Sequence, residues 1–277
     1  MTISGSDFDF VRRFIRDEAG IVLETGKEYL VEARLTPLAQ AQGFAHASSL
    51  IDEVRRASRS PLSRRVVDAL TTNETSFFRD VEPFEVLRTE VLPELVSARR
   101  TTRALHIWCA AASTGQEPYS LAMLIEEHFP ELHDWRVTIL ATDISTDALV
   151  RARAGRYSQF EINRGLPARY LIKYFDKVGL DWEIHASIRR RVEFREMNLA
   201  RTWPPMPHAD VVFLRNVLIY FDVDTKRNVL ARVRRILRPD GYLFLGAAET
   251  TVNLDDAFRR APWGRASCFR LADTACR

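Results

Sequence analysis

The chain has 277 residues, 46% of them hydrophobic and 28% charged, enough apolar material for one large core or two modest ones and too much for a disordered chain. Its formal charge of +3 is too small to argue for a nucleic-acid partner. No apolar run reaches bilayer length, since the one from Val211 is broken by Arg215 and Asn216, and the N-terminus carries Asp7 and Asp9 where a signal peptide would have a basic region before an apolar stretch.

Residues 6 to about 72 read as helical throughout. Ser6 or Asp7 can cap a first helix whose Phe8, Val11, Phe14 and Ile15 share one face, ending at Gly20. A second runs near Lys27 to Gln42, with Tyr29, Leu30, Ala33 and Leu38, and stops at Gly43. A third starts near Ser48 or Ser49, and a fourth at Ser60-Pro61, where a first-turn proline loses no helical hydrogen bond. No strand pattern interrupts them, so residues 1–72 are expected to form a small N-terminal bundle. A polar linker, 73–82, follows.

From about residue 83 strands alternate with helices, the pattern of a doubly wound α/β domain extending to 277. Strands are expected at 104–109, 136–141, 191–196, 209–214 and 241–246. A helix at 223–237 precedes the last of them, joined to it by the turn Arg238-Pro-Asp-Gly241, and Cys268 to Leu271 reads as a final edge strand. Between Gly155 and Val192 lies an insertion with a helical stretch, Pro167 to Phe175. There Asp181 to His185 and Ile188 to Phe194 are expected to pair as an antiparallel ribbon, a β-subdomain at about 176–195. Cys109, Cys268 and Cys276 have no metal-ligand spacing and leave one unpaired, which reads as reduced thiols in a soluble cytoplasmic protein, with Cys109 packed at a strand end and no metal site.

The segment Leu105 to Ser120 says most about chemistry. It reads as a buried strand, a loop of small residues and a helix opening at Pro118; the next strand ends in Thr142-Asp143. That order makes a nucleoside-binding βαβ unit, in which an acid at the second strand's tip accepts hydrogen bonds from ribose hydroxyls. The loop is not GxGxxG, because Ala110, Ala111, Ala112 and Ser113 precede the single Gly115, and Glu117 would repel a phosphate. A nucleoside with a zwitterionic amino-acid tail fits better, its ammonium meeting Glu117 and its carboxylate the main-chain amides. S-adenosylmethionine is such a molecule. Ala111 and Gly115 are the loop positions expected to meet it.

Two further runs belong with this one. Thr71 to Asp80 joins bundle to sheet and sets Asn73, Thr75 and Arg79 around the apolar pair Phe77 and Phe78. Leu214 to Phe221 follows an apolar strand, so Arg215 and Asn216 stand at a strand's C-terminal end, where open α/β sheets bind ligands, with Tyr220 one turn on. Asn198 holds the equivalent place after the strand ending at Glu196 and is a candidate to read the adenine edge.

Thr-Asn-Glu-Thr-Ser-Phe-Phe-Arg, Ala-Ala-Ala-Ser-Thr-Gly-Gln-Glu-Pro-Tyr-Ser, Ala-Thr-Asp-Ile and Arg-Asn-Val-Leu-Ile-Tyr-Phe occur in that order. Together they resemble the CheR family of chemotaxis receptor methyltransferases over nearly the whole chain. The resemblance implies a Rossmann-like S-adenosylmethionine-dependent methyltransferase fold with an inserted β-subdomain behind an all-α domain. It puts Asn73, Thr75, Arg79, Glu117, Asp143, Asn198, Leu199, Arg215 and Asn216 around S-adenosylmethionine, and Arg79 and Tyr220 beside the reacting methyl. The implied reaction methylates glutamate side chains on chemoreceptor helices, giving γ-methyl esters and S-adenosylhomocysteine. A glutamate is ionised at pH 7 and needs no general base, and none of the six histidines falls inside the four motifs.

Arg55, Arg56, Arg59, Arg64 and Arg65 crowd the junction of the third and fourth helices. The resemblance implies that the helical domain docks acidic cytoplasmic receptor helices, and this cluster is expected to steer that binding; the protein itself is expected to be a monomer without membrane insertion. Some family members grip a receptor's C-terminal peptide with the β-subdomain. Here the connection Asp176 to Asp181 is compact and lacks a glycine-rich extension, which fits a member that does not need the peptide. Two other readings stay open. One is a methyltransferase acting on an amide or base nitrogen, although Pro204-Pro205 precedes the strand that such an enzyme's motif would follow. The other is a non-catalytic S-adenosylmethionine sensor in a signalling array.

Overall fold

The computed structural model describes residues 3–263 and 266–272; Cys276 lies outside them. The N-terminal part is helical: α1 (Gly5–Ala19), α2 (Glu28–Ala41), α3 (Ala47–Arg56) and α4 (Pro61–Leu70). Phe8, Val11 and Ile15 of α1 meet Val31 and Leu35 of α2, Leu50 and Ile51 of α3, and Val66 and Leu70 of α4 in one buried cluster. Each such side chain contributes roughly 1.5–3 kcal/mol by leaving water. The cap of α1 is Ser4, not Ser6 or Asp7. Its hydroxyl accepts from Asp7 N at 3.2 Å, while Asp7 sits in the first turn and pairs with Arg55. Gly20 closes the helix in the left-handed region. Ser60 caps α4 with Pro61 in its first turn, as expected.

The second part opens with α5 (Glu82–Val86), which runs through a π-helical turn into α6 (Leu92–Ala98). It continues as β1 (Ala104–Ala110), α7 (Gln116–His128), β2 (Arg136–Asp143), α8 (Thr146–Ala154), β3 (Arg156–Ser158), α9 (Gln159–Asn163), α10 (Ala168–Tyr174), β4 (Phe175–Val178), β5 (Asp181–Ile184), α11 (Ala186–Arg189), β6 (Val192–Glu196), β7 (Ala209–Leu214), α12 (Val223–Ile236), β8 (Leu237–Leu245), β9 (Phe258–Arg260) and β10 (Cys268–Leu271). Seven strands form one sheet in the order β6-β2-β1-β7-β8-β10-β9. The first five are parallel; β10 is antiparallel to β8, and β9 to β10. Both faces are covered, which is why the strands read as continuous apolar runs. Along β1, Leu105, Ile107 and Cys109 enter one core and Trp108 and Ala110 the other.

Three expectations change. Cys268–Leu271 is not the edge, because Phe258–Arg260 pairs outside it; a three-residue strand has too short a pattern to show in sequence. β8 starts four residues early because Leu237 pairs with Ala209 ahead of a register irregularity. The ribbon is composed differently too. Asp181–Ile184 pairs with Phe175–Val178 across a turn in which Gly179 has φ +64°, and with Arg156–Ser158, forming a separate three-stranded sheet. Residues 192–196 lie instead beside β2, where Val192 enters the main core. The β-subdomain is therefore built from residues 156–184, not 176–195. Both partners of the expected ribbon have strand-like patterns, and tertiary burial decides which neighbour each takes.

The bundle sits over the C-terminal ends of the strands. Asp68 of α4 accepts from Thr146 N (3.0 Å) and Oγ1 (3.1 Å) at the start of α8. Asn198 donates to Glu18 O at 2.6 Å, and Val22 N donates to Tyr220 O at 2.8 Å.

Candidate active site

Between the bundle and the strand tips lies a cavity. Asn73, Thr75, Arg79, Ala111, Glu117, Asp143, Asn198, Leu199, Arg215, Asn216 and Tyr220 all line it. Of the expected site residues in these runs, Gly115 does not. It precedes α7 with φ +93°, and a Cβ there would stand 3.0 Å from Ala152 Cβ and 3.2 Å from the Tyr119 ring. Gly115 thus turns the loop and lets α7 approach α8; the loop positions that line the cavity are Ala111 and Ser113. Those two residues also adopt positive φ, +59° and +52°, without being glycine, a strain of about 1–3 kcal/mol each. Helix α7 begins at Gln116, so Pro118 falls in the first turn, where no N–H is needed.

The Asp143 carboxylate is buried and fixed by the main chain. Oδ2 accepts from Ser113 N at 2.7 Å, and Oδ1 from Ser145 N at 2.8 Å. Burial raises its pKa, with the backbone N–H groups of Ser145, Ser113 and Ile144 opposing. A carboxylate oxygen has two lone pairs, so both oxygens can still accept from a ribose. Ser113 Oγ donates to Asn73 O at 2.8 Å, which ties the linker to this loop. Sequence marks Ser113 only as a small residue; its place between Asp143 and Asn73 depends on the fold.

Arg215 organises the opposite wall. Its side chain is 1% exposed and reaches Glu117 Oε2 at 2.8 Å, Asp80 Oδ2 at 2.6 Å and Arg79 O at 3.0 Å. Glu117 is also buried, and burial raises its pKa despite the attraction of Arg215. Asp80 is a participant that sequence reasoning missed. Its only signal is its position at the end of the polar linker, and its partner lies far along the chain. The Arg79 guanidinium donates to Glu74 O at 3.1 Å. Tyr220 ends a 3-10 turn, Leu218–Tyr220, and among the described residues its hydroxyl has no hydrogen-bond partner.

Asn198 differs from its expected part. Its Nδ2 donates to Glu18 O, and its Oδ1 accepts from Ala200 N at 2.9 Å, so the side chain joins the bundle to the strand tip. Ile144, Met197 and Leu199 offer apolar walls beside it that suit the face of a purine.

The residues fit S-adenosylmethionine. Asp143 suits a ribose and Glu117 a cationic tail, and two buried polar atoms at the site, Asn73 Oδ1 and Arg215 Nε, have no protein partner. Buried polar atoms normally find one, so these two are available to a ligand.

Comparison with known proteins agrees. Residues 6–71 match the all-alpha domain of CheR methyltransferases, and residues 73–266 match their SAM-binding domain. The chain is 45% identical to chemotaxis protein methyltransferase 1 of Pseudomonas aeruginosa over 264 residues, covering 94% of this chain and 95% of that protein. It is 41% identical to chemotaxis protein methyltransferase Cher2 of Pseudomonas putida over 263 residues, covering 94% and 95%. A Vibrio parahaemolyticus chemotaxis protein methyltransferase is 40% identical over 262 residues, covering 93% and 94%. The chain belongs to the CheR family of S-adenosylmethionine-dependent methyltransferases.

Proposed function

We propose that the protein transfers the methyl of S-adenosylmethionine to glutamate carboxylates on the cytoplasmic helices of chemoreceptors, giving methyl esters and S-adenosylhomocysteine, and that it acts as a cytoplasmic monomer. The state of the acids around the cavity carries the reading. Asp143 is held by two main-chain N–H groups, Glu117 by Arg215 and Glu74 by Arg164 at 2.9 Å, and among the described residues no histidine lines the cavity. A site without an available base suits an acceptor that is already an anion. An amide or hydroxyl acceptor would need one.

In the transfer a carboxylate oxygen forms a bond to the methyl carbon as the sulfur–carbon bond breaks, and the electron pair returns to sulfur. A cation and an anion become two neutral groups, so exclusion of water favours the step. Arg79 and Tyr220 orient the acceptor carboxylate or the methionine tail. Asn73, Thr75, Ala111, Glu117, Asp143, Leu199, Arg215 and Asn216 hold the cofactor.

The arginine cluster divides. Arg55 pairs with Asp7 and Asp52, and Arg56 with Glu53. Arg59 and Arg65 are exposed without an ion pair among the described residues, and Arg64 approaches Glu196 only at 3.8 Å. Arg59 and Arg64 line a surface groove that shares Ile144 and Asn198 with the cavity. Receptor docking accordingly rests on Arg59, Arg64 and Arg65, while Arg55 and Arg56 stabilise the bundle.

The test is methylation of receptor-bearing membranes with labelled S-adenosylmethionine. Base-labile methanol release from the receptor band is expected. Label stable to base would mean a nitrogen acceptor, and no transfer despite cofactor binding would mean a sensor.

A further inference from the structure

Glu249 stands beyond the C-terminal end of β8 and is 7% exposed. Its Oε2 accepts from Asn216 N at 2.8 Å and from Gly246 N at 2.7 Å, and its Oε1 accepts from Ile219 N at 3.3 Å. Asn216 follows β7 and has φ +57°, a conformation that costs energy without such support. One carboxylate thus joins the tips of two adjacent parallel strands and grips both ends of the turn from Asn216, which lines the cavity, to Ile219, next to Tyr220. Gly246 makes room for it, since a Cβ there would come within 2.8 Å of Glu249 Oε2 and 2.7 Å of Asn216 Nδ2.

We propose that Glu249 is a positioning residue for methyl transfer, its buried carboxylate setting the Asn216–Tyr220 turn so that Asn216 meets the cofactor and Tyr220 the reacting groups. This rests on the assignment of Asn216 and Tyr220 to the methyl-transfer site. Glutamate is required because three N–H donors converge on two oxygens; glutamine would turn an NH2 toward one of them.

The experiment compares wild type, E249Q and G246A by thermal unfolding, by calorimetry with S-adenosylhomocysteine, and by initial rates at varied S-adenosylmethionine with receptor membranes. E249Q should bind S-adenosylhomocysteine about tenfold more weakly and raise KM for S-adenosylmethionine about tenfold, the scale of one lost charge-assisted hydrogen bond. Its kcat should fall as well, because Tyr220 moves with the turn. G246A keeps the charge but displaces the carboxylate, and should reproduce the KM rise to a smaller extent. If E249Q fails to fold, G246A decides alone. Folded variants with a lowered Tm but wild-type KM, kcat and product binding would reduce Glu249 to a structural brace and overturn the proposal. A wild type that transfers no methyl to receptor carboxylates would overturn the functional reading instead, while product binding would still report on Glu249.

Discussion

The two walls of the cavity are built by different means. At the tips of β1 and β2 the cavity-lining acid, Asp143, is held by the main-chain N–H groups of Ser113 and Ser145. At the tip of β7 the wall is a buried ion pair, Arg215 with Glu117, to which the exposed Asp80 adds a second carboxylate. A main-chain cradle costs little if one side chain is trimmed. A buried ion pair is intolerant, because removing one partner leaves the other charge unpaired in a poorly solvating site. The walls should therefore respond to mutation differently, the first losing affinity and the second losing the fold as well.

The largest effect is expected at Arg215. Arg215→Ala leaves Glu117 buried and unpaired, which should lower unfolding free energy by about 3–5 kcal/mol, read from urea denaturation, and abolish transfer. Lysine should not rescue it, since a single ammonium cannot reproduce the fork that reaches Glu117, Asp80 and Arg79 O. Equal stability of Arg215→Ala and wild type would erase the distinction between the walls. Asp143→Ala should cost less stability, about 1–3 kcal/mol for the Ser113 and Ser145 N–H groups left unsatisfied. Its cofactor affinity, measured by calorimetry, should nevertheless fall about a hundredfold.

Glu117 sharpens the comparison through pH. Burial raises its pKa above the unfolded value, so the native state holds that proton more tightly than the unfolded chain does. The resulting stabilisation is full below the ordinary carboxylate pKa and is lost as pH rises through the folded one. The stability difference between wild type and Glu117→Gln should therefore shift against wild type as pH climbs from about 4, in urea titrations at fixed salt. A difference that does not change with pH would mean that Arg215 fully offsets the burial.

Legibility in the sequence followed the same division. The wall built from β1 and β2 was readable because its parts lie close along the chain: strand, small-residue loop, helix and an acid at the next strand's tip. The motif around Arg215 is recognisable, but its contact with Asp80 is not, because the two residues lie 135 positions apart and meet only in the fold. Gly115, expected at the ligand, serves helix packing, and Asn198, which does line the cavity, also ties the strand tip to α1, a second part the sequence does not show. The small sheet shows another limit. Asp181–Ile184 and Val192–Glu196 are both credible strands, and only burial of Val192 beside Ile139 separates them into two sheets.

The smallest effect is expected outside the cavity, on the exposed arginines. Reversing Arg59 and Arg65 to Glu alters no ion pair among the described residues, so stability should stay within about 0.5 kcal/mol and cofactor binding should not change. Receptor KM should rise several-fold at low salt, and the gap should close as ionic strength shortens the range of the attraction. The same reversal at Arg55 breaks its pairing with Asp7 and Asp52 and removes a cation 4.8 Å from the Phe10 ring. That variant should lose stability while its receptor KM keeps the wild-type salt dependence. If instead Arg55 governed receptor KM and Arg59 and Arg65 did not, docking would lie beside Asp7 and Phe10, at the start of α1, and not at the groove lined by Arg59 and Arg64.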